Sequence, residues 1–124
     1  MRDLAVHRVI APVLLVDAAN VVGSRPDGWW RDRAGAARRL VASLGALTPD
    51  WTVVCVLEGA ARRGVTEGEH AGVRVVHAAG VGDDTLAGLA GPGTTVVTAD
   101  RGLRARGEAV GAVVLGPRWL LDQL

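Results

Sequence analysis

The chain is predicted to fold as a three-layer α/β/α domain with a mainly parallel central sheet of about five strands. Apolar runs of strand length alternate with helical segments, which is the pattern of βαβ units. The runs are nearly continuous in Val and Leu, which indicates a sheet covered by helices on both faces. With 124 residues, 49% of them hydrophobic, the chain has room for one core, so residues 1–124 are predicted to be a single domain.

Five apolar runs carry the strand prediction. They cover residues 13–16, 52–57, 73–77, 95–98 and 112–115. Parallel neighbours bring their carboxyl ends to one edge of a sheet, and ligands of open α/β sheets bind outside that edge. The residues that follow each run are therefore the first candidates for a functional site.

The segments between the runs predict helices. Apolar residues near a 3.6-residue period predict one helix over residues 30–47. A shorter helix covers residues 83–89 with Asp83 as its cap, and Asp100 caps another that ends at residue 106 or 107. Pro117 starts the last helix. The Arg- and Gly-rich segment between the second and third runs has no clear assignment.

Charge and cysteine content narrow the function classes. The formal net charge is +1, so nucleic-acid binding would have to depend on a local patch, not on bulk attraction. Cys55 is the single cysteine and lies in an apolar run, which favours a structural role as a small buried side chain in a reducing compartment. The longest apolar run, residues 9–16, contains Pro12 and is too short to cross a bilayer. A cytoplasmic protein without membrane contact is expected.

Carboxylates follow three of the predicted strands. Asp17, Glu58 and Asp100 end or follow their runs, and the pair Asp83 and Asp84 opens a predicted helix. Carboxylates gathered on one edge repel one another unless a cation neutralises them. Hard oxygen ligands suit Mg²⁺ or Mn²⁺, and no Cys/His spacing in the chain suits zinc. The pattern predicts a divalent-metal site among these five acids, and phosphate chemistry there. Asp17 and Asp100 are expected as inner ligands. Asp83 or Asp84 would bind the same ion or a second one, and Glu58 would bind directly or through water.

Neighbouring polar residues have predicted supporting roles. Asn20 is expected to orient Asp17 or to contact phosphate, and Thr98 to hydrogen-bond a ligand carboxylate or to bind phosphate. A simpler alternative for Asp100 is that it only caps a helix. His77, at a predicted strand end, is more readily a structural residue than a catalytic base.

The segment after the first strand predicts a loop that contacts RNA. Arg25 and Arg31 would bind phosphate, and Trp29 would stack on an unpaired base, whereas Trp30 is expected in the core. Arg101 would extend the basic rim beside the acidic edge.

Several motifs in this order resemble the NYN domain of the PIN-like nuclease superfamily, in particular its YacP-like branch. The chain has VDAAN after the first strand, WW before a basic helix, Glu58-Gly59, a GDD helix start and VVTADRGL, and the resemblance spans about residues 13–115. It implies a PIN-like parallel sheet, a divalent-metal site and endoribonuclease activity, in RNA maturation or ribosome-linked decay. It also aligns the family's acidic helix best with Asp83.

Two other classes of function stay open at the level of the sequence. The first is a catalytically weak RNA- or nucleotide-binding module, since Gly102 stands where many PIN domains have a further acid. The second is a phosphatase or receiver-like domain. A receiver needs a Lys after a late strand, and the chain has none; aspartyl-phosphate phosphatases need Asp-x-Asp, and Ala19 occupies the second position. An endoribonuclease acting on single-stranded or loop RNA is therefore the favoured function.

Overall fold

A computed structural model describes residues 11–124. The first two residues of the apolar run 9–16, residues 9 and 10, lie outside the described residues. Within residues 11–124 the central sheet has six strands, one more than predicted: β1 Val13–Asp17, β2 Thr52–Leu57, β3 Gly68–His70, β4 Val73–His77, β5 Thr94–Val97 and β6 Val113–Leu115.

The strand order across the sheet is β3-β4-β2-β1-β5-β6. All neighbouring pairs are parallel except β3 and β4, which form an antiparallel hairpin at one edge. The chain runs outwards from β1 to β2 and β4, and then returns to place β5 on the other side of β1. The order therefore reverses beside β1, and the crevice at the carboxyl ends of β1 and β5 is the expected ligand site of such a sheet.

In the described part of the chain, five α-helices flank the sheet: α1 Ala18–Gly23, α2 Arg33–Leu44, α3 Gly82–Leu89, α4 Arg101–Ala109 and α5 Pro117–Gln123. Leu14 and Val16 point to one face and pack with α1, α2 and α5, whereas Leu15 points to the other face with Leu86 of α3 and Leu103 of α4. Both faces of the sheet are thus buried under helices. This confirms the predicted three-layer α/β/α fold.

Two local predictions were wrong. The predicted helix over residues 30–47 is interrupted, because the Asp32 carboxylate accepts a hydrogen bond from the Gly35 amide at 2.8 Å and caps α2 there. A separate 3₁₀ turn, Trp29–Arg31, precedes it. Asp83 does not cap α3 but lies in its first turn, since the residue at the cap position is Val81.

Two elements were not predicted from the sequence. Helix α1 has only six residues, too few to show an apolar period, and it begins directly after Asp17. Strand β3 contains Gly, Glu and His, and its pairing with β4 holds it in the sheet. The Asp100 cap and the Pro117 helix start were both predicted and are confirmed. No helix in the described part of the chain combines the length and the apolar composition that a membrane crossing requires.

Candidate active site

Asp17 lies at the centre of the carboxyl edge, where β1 ends between β2 and β5. Its side chain is only 4% exposed. The Thr98 hydroxyl donates a hydrogen bond to Asp17 Oδ2 at 2.8 Å, and the backbone amide of Asn20 donates to Asp17 Oδ1 at 3.3 Å. Asp17 therefore caps α1 and at the same time reaches across the crevice to the end of β5.

Burial is the main cause that raises the pKa of Asp17 above its ordinary value of 3.8. The hydrogen bonds from Thr98 and Asn20 lower this pKa, and the negative charges of Asp83 and Glu58 raise it again, with a net upward shift. A buried carboxylate in a field of other carboxylates is costly to keep charged. Such a group is characteristic of sites that bind a cation or transfer a proton.

In the absence of metal, replacing Asp17 with Asn should leave the free energy of unfolding at neutral pH unchanged or higher. A carboxyl whose folded pKa is raised stabilises the fold below its unfolded pKa, and that contribution is lost as the pH rises through the folded value. The stability difference, variant minus parent, should therefore grow from about pH 4 to pH 7 in urea unfolding with chelator present. A difference that shrinks with rising pH would mean that the charged carboxylate stabilises the fold.

Thr98 is fully buried and connects the two sides of the crevice. Besides donating to Asp17, its hydroxyl accepts a hydrogen bond from the Asp100 amide at 3.1 Å. Arg104 Nη1, one helical turn further on, donates to the Thr98 carbonyl at 2.9 Å. This arginine was not predicted, since nothing in the sequence separates it from the other arginines of the chain.

Replacing Thr98 with Val should destabilise the protein by about 1–3 kcal/mol, because it leaves Asp17 Oδ2 and the Asp100 amide without their partner. Thr98→Ser keeps the hydroxyl and serves as the matched control, expected to lose much less stability in the same urea titration. Equal losses in the two variants would show that the methyl group, and not the hydroxyl, carries the effect.

Asn20 fixes the turn between β5 and α4. Its Oδ1 accepts a hydrogen bond from the Ala99 amide at 2.7 Å. The expectation that Asn20 orients Asp17 is met by its backbone amide, which donates to Asp17, and not by its side chain. With Oδ1 turned towards the Ala99 amide, the Nδ2 group, the only donor of the side chain, could donate to a phosphate oxygen.

The two acids at the start of α3 have different surroundings. Burial, and next the charge of Asp100, raise the pKa of Asp83; Asp84 adds to the shift and Arg106 opposes it. Asp84 is 74% exposed, and its carboxylate forms an ion pair with Arg106 at 3.0 Å. Asp83 is therefore coupled to both Asp17 and Asp100, whereas the structure turns Asp84 towards α4.

Asp100 caps α4 and is also near the other acids. Its Oδ1 accepts from the Leu103 amide at 2.8 Å, so the capping role considered from the sequence is real. The residue is exposed, and its charge acts on Asp83. Arg101, the next residue, is exposed at the first position of α4.

Glu58 follows β2 and lies against the start of α3. A Cβ atom on Gly82 would meet Glu58 Oε1 at 3.0 Å, so the glycine permits this close approach. Glu58 is half-buried, and its charge contributes to the raised pKa of Asp17. It is therefore part of the same electrostatic environment.

The five predicted metal ligands share an edge but do not converge on one point. Within residues 11–124, no three His, Cys, Asp or Glu side chains are close enough together to hold a metal ion as they stand. The possible ligands are nevertheless all hard carboxylate oxygens. The charge of Asp83 repels that of Asp17, and the charge of Asp100 repels that of Asp83. A divalent cation is the kind of ligand that would relieve this repulsion.

The prediction that Trp30 lies in the core was wrong. Trp30 is 55% exposed and not in the core, whereas Trp29 is half-buried and packs beside Gly23. The Arg33 guanidinium lies 5.0 Å from the centre of the Trp29 ring, and that of Arg31 lies 5.7 Å from Trp30. The reason is the 3₁₀ turn, which begins after a left-handed Gly28 and directs successive side chains to different sides.

Trp29 and Arg33 line a cavity of about 240 Å³ beside the acidic edge. Glu58 forms part of its wall, with Ala18 and Ala19 of α1. Arg25 is half-buried in the same loop, and Arg31 is exposed. Three of the four predicted RNA-contacting residues thus lie on the segment between α1 and α2, where Trp29 reaches the cavity, and the fourth, Arg101, begins α4.

The contacts of His77 and the burial of Cys55 indicate structural roles. His77 Nε2 lies 2.7 Å from the Val65 carbonyl, and its backbone amide donates to Glu67 at 2.9 Å, so the side chain joins β4 to the segment before β3. Cys55 is fully buried, and burial raises the pKa of its thiol to about 12. Neither residue is poised for chemistry.

Comparison with known proteins supports the fold assignment. No protein-family model matches the chain, and no curated protein matches it by sequence. The structure is similar to the crystal structure of a mutant of Rae1 (YacP) from Bacillus subtilis, with a TM-score of 0.73 and 18% sequence identity. The alignment covers 90% of this chain and 74% of that one. The chain therefore has a YacP-like NYN/PIN-like fold, as the resemblance in the sequence predicted.

Proposed function

We propose that this protein is a divalent-cation-dependent endoribonuclease whose active site is the carboxyl edge around Asp17. The observation that carries the proposal is the buried Asp17 carboxylate, held by Thr98 and surrounded by the charges of Asp83 and Glu58. It lies at the crevice where the strand order reverses, in a YacP-like fold. Together these features support phosphodiester hydrolysis as the reaction.

Mg²⁺ or Mn²⁺ would be held by Asp17, Asp83 and Asp100. When bound, such a cation makes a water molecule more acidic and neutralises charge on the phosphate. The protein's own part is orientation: Thr98 and the Asn20 amide fix the two oxygens of Asp17. The Asn20 Nδ2 and Arg101 are the nearby donors for phosphate oxygens.

The substrate class follows from the loop between α1 and α2. Trp29 supplies a face for stacking on an unpaired base, and Arg25 and Arg31 supply positive charge for the backbone. Single-stranded or loop RNA is therefore the proposed substrate, in the cytoplasm and in the ribosome-linked setting that the YacP-like resemblance implies.

A second candidate is an RNA-binding module that does not cut. It is favoured by the absence of three converging metal-ligating side chains within residues 11–124, and by the Asp84–Arg106 ion pair, which engages one of the predicted ligands. Metal binding is the property that separates the two candidates.

Adding Mg²⁺ or Mn²⁺ should raise the melting temperature of the parent and switch on cleavage of a mixed RNA pool. Binding to the folded state alone stabilises it, by about 2.7 kcal/mol at a hundredfold excess over Kd. Asp17→Asn and Asp100→Asn should each lose most of this increment, whereas Asp50→Asn, at an exposed turn, should keep it. Stabilisation without cleavage would favour the non-cutting module, and an unchanged increment in both site variants would place the metal elsewhere.

A further inference from the structure

The cavity beside Trp29 is separate from the carboxylates that would hold a cation, but it adjoins them through Glu58. Its volume of about 240 Å³ is below the range of about 300–1,000 Å³ that is usual for sites of drug-sized ligands. Its walls are mostly small or aliphatic residues, with one aromatic ring, one guanidinium and one carboxylate as the exceptions. The cavity therefore suits a single flat group and not a whole nucleotide.

We propose that this cavity binds one unpaired guanine base of the RNA and that Glu58 selects it. The proposal rests on the proposed function, because it assumes that RNA crosses the acidic edge. It gives Glu58 a role in base recognition, in place of the metal-ligand role expected from the sequence.

Stacking is provided by two planar groups. Trp29 and Arg33 are already stacked, with the guanidinium 5.0 Å from the ring centre, and both line the cavity. Aromatic rings and guanidinium planes are the surfaces on which proteins stack unpaired bases. A base entering the cavity would extend this stack, and the charge of Arg33 would lie next to its phosphate.

Selection comes from the Glu58 carboxylate. The ion pairs of residues 11–124 join Arg74 to Glu69 and Arg106 to Asp84, so Glu58 has no ion-pair partner in the described chain. A carboxylate only accepts hydrogen bonds, and its two oxygens match two parallel N–H donors. Guanine presents such a pair, N1–H and N2–H, on its Watson–Crick edge, whereas adenine, cytosine and uracil each offer a single donor group there.

The position of Glu58 places the bound base next to the reaction. Its charge acts on Asp17, and its Oε1 faces the start of α3, which also carries Asp83. A guanine held at Glu58 would therefore set the register of the phosphate backbone over the carboxylates. Cleavage should be directed to phosphates beside a guanine.

The test is equilibrium binding of a fluorescent single-stranded hexamer with one guanosine in a uridine background, measured in chelator so that nothing is cut. The same hexamer with inosine lacks only the N2 amino group. The parent should bind the guanosine hexamer about tenfold more tightly, the usual scale for one hydrogen bond to a charged group. Glu58→Gln should bind both hexamers equally, and the exposed control Glu108→Gln should behave like the parent.

Trp29→Ala should weaken both hexamers by about tenfold, because it removes the stacking surface. Should Trp29→Ala fail to fold, the half-exposed Glu58 variant alone decides the selectivity. A guanosine preference that persists in Glu58→Gln, or a parent that does not distinguish the hexamers, would overturn the inference. Loss of Mn²⁺ binding in Glu58→Gln with unchanged base preference would return Glu58 to the metal site.

The outcomes separate this inference from the proposed function. A parent that prefers guanosine in chelator but never cuts RNA contradicts the nuclease and leaves the base site in place. A parent that cuts RNA without any base preference contradicts only the base site.

Discussion

Asp17→Asn should abolish RNA cleavage while the protein stays folded. Among residues 11–124, Asp17 is the one buried carboxylate at the carboxyl edge, and its two oxygens are oriented by Thr98 and the Asn20 backbone amide. Asparagine keeps the shape but removes the charge that would attract a cation. Losing even an outer-shell partner of a metal ligand costs about 10–100-fold in affinity or activity, so removing the ligand itself should cost at least about 100-fold.

The measurement is the initial rate of cleavage of single-stranded RNA with Mg²⁺ or Mn²⁺, beside a thermal unfolding curve for each protein. Asp50→Asn makes the same chemical change at an exposed turn and should cut like the parent. Chelator should reduce the parent to the level of Asp17→Asn. If Asp17→Asn retains the parent rate and unfolds at the parent temperature, the carboxyl edge around Asp17 is not the active site.

The central arrangement of the site could be predicted because it depends on the sheet. Asp17 and Thr98 are 81 residues apart in the chain, yet they hydrogen-bond because β1 and β5 are parallel neighbours and pair in register from Val13 to Val16. Apolar runs locate the strands, and parallel pairing then brings their ends together. Locating the two strands is therefore enough to predict that Asp17 and Thr98 lie close together.

Side-chain direction in short turns could not be predicted in the same way. Trp29 and Trp30 are adjacent, and the difference between a half-buried ring and a 55% exposed one comes from the left-handed Gly28 and the 3₁₀ turn. Such a turn is too short to show a period. Arg104 was missed for another reason: the start of α4 at the Asp100 cap was predicted, but nothing in the sequence separates this arginine from the others or shows that it donates to the Thr98 carbonyl.

The choice between Asp83 and Asp84 depends partly on a feature that the sequence predicts and partly on one that it does not. The sequence predicts that α3 brings an acid to the site, and adjacent residues on a helix point about 100° apart, so only one of the two can face the crevice fully. The structure couples Asp83 to Asp17 and Asp100, and it pairs Asp84 with Arg106. The presence of this acidic helix was predictable, although it begins at Gly82 and not after an Asp83 cap. The pairing with Arg106 was not predictable, because it depends on the packing of α3 against α4.

Asp83→Asn should therefore reduce cleavage by at least about 100-fold, on the same reasoning as for Asp17. Asp84→Asn should cut within about threefold of the parent, because an exposed ion pair is worth only about 0–1 kcal/mol. The assay is the initial cleavage rate at saturating metal, with unfolding measured on the same samples.

Arg106→Gln is the matched control, since it breaks the ion pair with Asp84 but keeps both acids. The positive charge of Arg106 also lowers the pKa of Asp83. Removing this charge should therefore move the acidic limb of the pH–rate profile to higher pH without abolishing cleavage. Equal, large losses in Asp83→Asn and Asp84→Asn would mean that Asp84 leaves Arg106 and joins the site when metal binds. Full activity in both would mean that α3 contributes no ligand, and the cation would then have to be held by Asp17, Asp100 and Glu58 alone.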